Sequence, residues 1–198
     1  SNVGMAKIAM AHYSNNVNEY YKHLTKLRLD SLSGIDLIGE RRPQITKPGD
    51  KLYGPTTLPW MAFGYNIAIA PIQTLTLYNA IANNGVMMKP YLVNAIKEEG
   101  KLLKTFSPKV YNPQLVKPTT VKALQAALEG VCINGTAKGL FKNSLYKVAG
   151  KTGTAEKLNN GKYEKNKNIG SFVGLIPATN PRIIMAIMID EPTVGSHF

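Results

Sequence analysis

One cysteine, Cys132, and three histidines, His12, His23 and His197, are the only sulfhydryl and imidazole groups among the 198 residues. A lone thiol closes no intrachain disulfide, and without a histidine pair at i, i+4 the expected metal content is none. No run of about 18 apolar residues occurs, and the first residues lack the basic-then-apolar profile of a secretory leader. Acidic residues are also few: Asp plus Glu number 12 against 24 Lys plus Arg, a net charge of +12. That balance suits an anionic partner such as nucleic acid, an anionic membrane surface or an acidic polymer. The basic residues are dispersed, however, with no run of five and no interleaving with aromatics. Nucleic acid is therefore not an expected partner, and a solubilising surface explains the charge equally well. A hydrophobic content of 44% and a charged content of 18% exclude a disordered chain, and the length suffices for a sizeable core.

What is present reads as helices first and strands last. Residues 1–11 predict a helix with Met5, Ile8 and Ala9 as a short apolar stripe, broken at Asn15-Asn16. Asn16 with Glu19 resembles a capping box that opens a second helix, along which Val17, Tyr20, Leu24 and Leu27 recur. Glycine and proline crowd Leu29–Pro59, predicting a long and mostly irregular segment. Pro71 suits the first turn of a helix lined by Ile72, Leu75, Tyr78 and Ala82 and ended by Asn84-Gly85. Residues 86–117 predict a hairpin-rich insert with a turn at Glu99-Gly100. Thr119 or Thr120 caps a helix bearing Val121, Leu124, Leu128 and Val131, closed by Gly135. Strands then follow at Tyr146–Lys157, Ile169–Ile176 and Arg182–Asp190, the last so apolar that coverage on both faces is expected. Short links at Asn159-Asn160-Gly161 and Pro177–Pro181 favour an antiparallel meander, hence an α+β fold with helices packed on an antiparallel sheet.

Within the first of these strands stands Lys151-Thr152-Gly153-Thr154. Lys151 and Gly153 point to one face and the two threonines to the other. A glycine in a strand weakens it and marks a close approach by a ligand or another backbone. Lys-Thr-Gly is also one element of the signature shared by penicillin-binding proteins and serine β-lactamases. Further stretches extend the match: Ser1-Asn2-Val3-Gly4, Ser33-Gly-Ile-Asp-Leu-Ile-Gly-Glu40, Phe63–Gln73 with Ala82-Asn-Asn-Gly85 and Pro90, Ser171-Phe-Val-Gly174, and Ile189-Asp190-Glu191-Pro192. In this order they resemble the class B penicillin-binding proteins, monofunctional D,D-transpeptidases of the bacterial wall. Tyr65-Asn66 departs from the family's usual Gln-Gly.

The resemblance implies acyl transfer from D-Ala-D-Ala stem peptides through a serine acyl-enzyme, with no cofactor. Lys151 would supply positive charge and route protons, and Thr152 and Thr154 would hold the substrate's terminal carboxylate. The Thr154 N–H would form half of an oxyanion hole, and Gly153 would let the peptide lie alongside as an added strand. Asn2 would bond the substrate amide and help to place the general base, and the first serine of Ser-x-Asn is absent unless Ser1 stands in for it. The Ser-x-x-Lys nucleophile is not expected here. The one such string, Ser144-Leu-Tyr-Lys147, runs straight into the Lys151 strand, where residues three apart diverge. Ser14-Asn15-Asn16 fits Ser-x-Asn but is explained by helix capping. Residues 1–198 are thus expected to be a single incomplete transpeptidase domain, lacking the nucleophile-bearing N-terminal part and the C-terminal closing helix. By itself it would not be acylated by penicillin. Expected partners are stem peptides, β-lactams with the complete domain, and wall-synthesis or division proteins. The expected location is the outer face of the bacterial cytoplasmic membrane, reached through an upstream anchor. The alternatives are a β-lactamase, D,D-carboxypeptidase or β-lactam sensor of the same fold, and a non-enzymatic basic module gripping an anionic polymer. Asn134-Gly135-Thr136 reads as a helix-ending turn rather than a glycosylation site, and Cys132 and Trp60 as packing residues.

Overall fold

The computed structural model describes residues 1–159 and 162–193. The first elements are helices α1 (Asn2–Tyr13) and α2 (Val17–Lys26), strand β1 (Gln44–Ile45), helix α3 (Thr57–Met61) and strand β2 (Ile67–Ala68). Helix α4 (Pro71–Ala82) follows, then strands β3 (Met87–Met88), β4 (Ala95–Glu98), β5 (Lys101–Thr105) and β6 (Val110–Asn112). Helix α5 (Pro118–Ile133) precedes the long strands β7 (Ala149–Asn159), β8 (Lys162–Ile176) and β9 (Ile183–Asp190). Contacts divide the chain into two units, residues 1–74 with 89–109, and 75–88 with the described residues from 110 onward. Asn160-Gly161, the predicted turn, lies outside the described residues, as does His197.

In the first unit, the apolar positions predicted for α2 are at least half buried, and Leu24 is in the core. On α1 only Ala9 of the predicted stripe is buried, while Met5 and Ile8 are 48% and 54% exposed. The capping box does not form: the Asn16 side chain makes no cap bond, and Glu19 instead takes the Lys22 ammonium at 2.6 Å. An ion pair one turn on outcompetes the backbone for that carboxylate. The segment read as irregular from Leu29 to Pro59 is mostly so, but it holds β1, which pairs antiparallel with β2, and α3, which contains Pro59 in its first turn. Side chains replace regular structure in tying it down. The Glu40 carboxylate accepts the Ser33 backbone N–H at 2.8 Å and the Ser33 hydroxyl at 2.9 Å. The Asp36 carboxylate accepts the Leu92 and Val93 N–H groups at 2.6 and 3.0 Å, and the Gln73 amide donates to the Ser31 carbonyl. Asn66, where the family pattern has glycine, adopts φ 58°, a left-handed conformation that asparagine tolerates better than other side chains. The β4–β5 hairpin turns at Glu99 and Gly100, φ 46° and 79°, as the sequence predicts.

In the second unit, β7, β8 and β9 form one antiparallel sheet in that order. Helix α5 packs on β7. It opens at Pro118 after Lys117, not at Thr119 or Thr120, because proline has no N–H to leave unpaired in a first turn. Two clusters hold this unit. Leu128, Ala149, Leu175 and Ala178 pack with Tyr78, Ile81 and Ile184, while Cys132, Ala137 and Val148 pack with Phe141, Phe172 and Ile176. Val148 and Ala149 are adjacent in the chain and enter different clusters, as strand alternation requires. Asn84 and Gly85 end α4 with φ 52° and 91°. A Cβ on Gly85 would lie 2.6 Å from the Val116 carbonyl oxygen, so only glycine fits that turn.

The prediction for the last strand fails in part. β9 is present and apolar and, among the described residues, pairs only with β8, but one of its faces is open: Ile183, Met185, Ile187 and Ile189 remain 57, 47, 47 and 56% exposed. Only alternate positions can reach the core of such a sheet, as Ile184 does. The predicted strand at Tyr146 begins instead at Ala149, and β8 extends upstream of Ile169 to Lys162.

Candidate functional site

The Lys151–Thr154 stretch lies in the middle of β7, with Lys151 opposite Val173, Thr152 opposite Phe172, Gly153 opposite Ser171 and Thr154 opposite Gly170. Among the described residues β7 pairs only with β8, so its other edge offers every second backbone N–H and C=O for an added strand. Lys151 is exposed, and its ammonium donates to the Thr152 carbonyl at 2.6 Å. Thr154 is exposed as well. Lys157, further along, is committed: its ammonium lies 3.0 Å from Asp190 and 2.8 Å from Glu191. These two carboxylates, Glu191 first, hold its proton more tightly than usual.

Glycines of β7 and β8 sit close to their neighbours across the pair. A Cβ on Gly150 would lie 2.4 Å from the Phe172 ring and 2.6 Å from the Val173 carbonyl oxygen. Gly174 crowds the same ring, with a would-be Cβ contact of 2.8 Å, so the two glycines form a trough that seats Phe172. Phe141 packs over that ring with centroids 5.5 Å apart. On the other face, a Cβ on Gly153 would lie 2.5 Å from the Ser171 oxygen, and the Ser171 hydroxyl donates to the Gly153 carbonyl at 3.3 Å.

Thr152 has a partner that the motif did not disclose. Its hydroxyl lies 2.6 Å from the hydroxyl of Thr136, in the turn that ends α5. Asn134 is the C-cap of that helix and Gly135 folds back on Val131, which bears out the turn reading of 134–136. The reading of 134–136 as a helix-ending turn does not by itself point to a partner for Thr136; only the folded turn brings it beside β7. Ser171, within the family-like Ser171-Phe-Val-Gly174 stretch, owes its bond to Gly153 to the β7–β8 register.

The decoys fall where helix and strand geometry puts them. Ser144 sits in a turn, its N–H on the Phe141 carbonyl and its hydroxyl accepting the Tyr146 N–H, while the Lys147 ammonium lies 3.6 Å from Glu129. No helix carries that pair. Ser14 is the C-cap of α1 and Asn16 the N-cap position of α2. Ser1 caps α1, its hydroxyl accepting the Gly4 N–H at 3.4 Å. Asn2, in the first turn, lines a groove of about 350 Å³ with Lys7, Met10, Trp60 and Phe63. Trp60 is 42% exposed and meets Tyr65 edge-on at 5.9 Å. Both Ser1 and Asn2 belong to the first unit, and Lys151–Thr154 to the second. Cys132 is buried, and burial followed by the nearby Glu129 pushes its thiol pKa up, which suits packing rather than reactivity.

An exposed lysine–threonine–glycine motif on a sheet edge, backed by a helix, defines the class of penicillin-recognising α+β proteins. Comparison with known proteins is more specific: the family model described as the penicillin binding protein transpeptidase domain matches residues 1–197, and the chain belongs to that family. Stage V sporulation protein D of Bacillus subtilis is 33% identical over 174 residues, covering 87% of this chain and 26% of that protein. The probable peptidoglycan D,D-transpeptidase PenA of Neisseria meningitidis is 28% identical over 200 residues, covering 100% of this chain and 31% of its own length. Penicillin-binding protein 3 of Mycobacterium tuberculosis, solved with aztreonam, superposes with TM-score 0.80 at 27% identity, over 98% of this chain and 44% of that one. The α+β fold expected from the sequence is therefore that of the transpeptidase domains. The chain spans about a quarter to a third of the length of the curated relatives it matches. Among the described residues no helix is long and apolar enough to cross a membrane.

Proposed function

We propose that the chain is part of a β-lactam-sensitive peptidoglycan D,D-transpeptidase. The serine oxygen bonds to the penultimate D-alanyl carbonyl carbon and gives its proton to a base. The bond to the terminal D-alanine nitrogen then breaks as that nitrogen gains a proton. An amine of a neighbouring strand next attacks the ester, and the serine leaves as its hydroxyl. The observation that carries this reading is Lys151-Thr-Gly-Thr154 on an open sheet edge, with Thr152 already tied by its hydroxyl to Thr136.

In this scheme a peptide docks against β7. Lys151 contributes charge and a proton route, Thr152 and Thr154 receive the terminal carboxylate, and the Thr154 N–H is one oxyanion donor. Asn2 bonds the substrate amide, and Ser1 takes the place of the first serine of Ser-x-Asn. The nucleophile comes from residues outside 1–198, because the one Ser-x-x-Lys here lies in a turn with its lysine toward Glu129. The 198 residues are accordingly one incomplete domain, working at the outer face of the bacterial cytoplasmic membrane with its anchor elsewhere in the protein. Wall-synthesis or division proteins are its partners, a reading supported by the names of the relatives.

A fluorescent penicillin provides the test. The complete protein should form a long-lived adduct, the 198-residue chain none, and Lys151→Ala in the complete protein should slow labelling roughly 100-fold. Steady hydrolysis of the β-lactam would replace this reading with a β-lactamase or carboxypeptidase. Labelling of the 198 residues alone would overturn the assignment of the nucleophile.

A further inference from the structure

The turn that ends α5 is fixed on both sides of Thr136. Gly135 donates its N–H to the Gly130 and Val131 carbonyls, and a Cβ on it would lie 2.8 Å from the Val131 Cα. Ala137 is fully buried among Cys132 and Val148 and donates its N–H to the Val131 carbonyl. Phe141, a few residues on, packs against Phe172 of β8. Thr136 itself is exposed, so it contributes nothing to this packing; what it presents to β7 is a hydroxyl 2.6 Å from that of Thr152. The backbone is thus held by buried neighbours while the polar end is left exposed beside Thr152.

A hydroxyl has one proton to give and two lone pairs to accept with. When two hydroxyls bond, the donor's proton is consumed and the acceptor's remains available. An anion is stabilised by donors, so a carboxylate at Thr152 favours the arrangement in which Thr136 donates to Thr152 and Thr152 donates outward. Chained hydrogen bonds polarise one another, so the first bond strengthens the second. We propose that Thr136 is a positioning residue for the substrate's carboxylate, orienting the Thr152 hydroxyl so that its proton faces the anion. This rests on the assignment of the carboxylate to Thr152 made above. Removing the Thr136 hydroxyl leaves Thr152 free to rotate, and the cost falls on ground-state and transition-state binding alike: KM rises and kcat holds.

The test uses the complete protein and two acylating probes, benzylpenicillin and its methyl ester, which lacks the anion. Thr136→Val keeps the shape and removes the hydroxyl, and it should weaken the apparent affinity for benzylpenicillin roughly fivefold, the size of one ordinary hydrogen bond. Reaction with the ester should be unchanged, and Thr136→Ser should restore the wild-type value. Equal losses toward both probes, or a serine variant no better than valine, would make Thr136 merely structural and overturn the inference. So would an unchanged response to benzylpenicillin. Thr152→Val separates the two claims: if it weakens benzylpenicillin while Thr136→Val does not, the positioning role alone falls. If Thr152→Val has no effect on benzylpenicillin, the carboxylate assignment falls and takes the positioning role with it.

Discussion

Gly153 and Ser171 face each other across the β7–β8 pair so closely that a Cβ on the glycine would lie 2.5 Å from the serine oxygen. The glycine of the motif therefore leaves room for the serine hydroxyl within its own sheet as well as for any peptide that docks beside it. Gly153→Ala should force the Ser171 side chain to rotate and give up its bond to the Gly153 carbonyl, at a cost of about 1 kcal/mol. The serine carbon itself, at 3.9 Å, is no obstacle. Ser171→Ala in the Gly153→Ala background should then cost nothing further, a non-additivity that denaturant unfolding of the four variants would expose. Additive losses would mean that the two residues do not compete for the same space.

Gly150 meets a different obstacle. Its would-be Cβ lies against the Phe172 ring and, at 2.6 Å, against the Val173 carbonyl oxygen. A ring can be trimmed but a strand carbonyl cannot move without breaking the ladder. Gly150→Ala should destabilise by about 3 kcal/mol, toward the upper end of overpacking costs, and Phe172→Leu should recover only part of it. Thermal unfolding of the single and double variants decides the matter; full rescue would place all of the strain on the ring.

These contrasts mark what could be read from residue order. Alternation and turn chemistry placed β7, the Glu99-Gly100 hairpin and the Asn84-Gly85 helix end, because each depends on neighbours in the chain. The motif residues Lys151 to Thr154 were legible for the same reason. Thr136 was not, since it reaches Thr152 only through the packing of Ala137 and the fold of Gly135 on Val131. Exposure of Ile183, Met185, Ile187 and Ile189 was equally hidden: an apolar run states preference for burial, and what packs on each face of the sheet depends on elements distant in the chain. The cap of α5 lies two or three residues before Thr119 or Thr120: threonines are good caps in general, but Pro118 took the first turn.

Tyr21 ties α2 to the residue that follows β1 by donating its phenol hydrogen to the Thr46 carbonyl at 2.7 Å. Burial, then the neighbouring Tyr53, Tyr20 and Asp50, push its pKa up to about 12. A phenol whose folded pKa exceeds the unfolded value stabilises the fold fully below that unfolded value, near 10, and loses this contribution as pH rises through the folded pKa. Stability should therefore decline between about pH 10 and pH 12. Tyr21→Phe should cost about 1 kcal/mol at neutral pH and flatten that decline. Unfolding midpoints across this range, with phenolate absorbance followed in parallel, would show it; an unaltered slope in the variant would assign the loss to other groups.

Asp36 works in the opposite direction. Its carboxylate accepts the Val93 and Leu92 N–H groups, and those two bonds, with a smaller contribution from Lys89, hold its pKa below the ordinary carboxylate value. A carboxyl depressed in the folded state stabilises it above its unfolded pKa, near 4, and the contribution is lost as pH falls through the folded value. The link between the Ser33–Glu40 segment and residues 92–93 should hold at neutral pH and loosen only in acid. Asp36→Asn presents one acceptor oxygen and an NH₂ that opposes the second donor, so it should reproduce the acid behaviour at pH 7. Amide exchange at Leu92 and Val93 reads this directly: protection should fall in the variant at neutral pH and in the wild type only below about pH 4, with amides of the β7–β8 ladder unaffected. Equal loss across the β7–β8 ladder would show that Asp36 holds the whole fold rather than one junction.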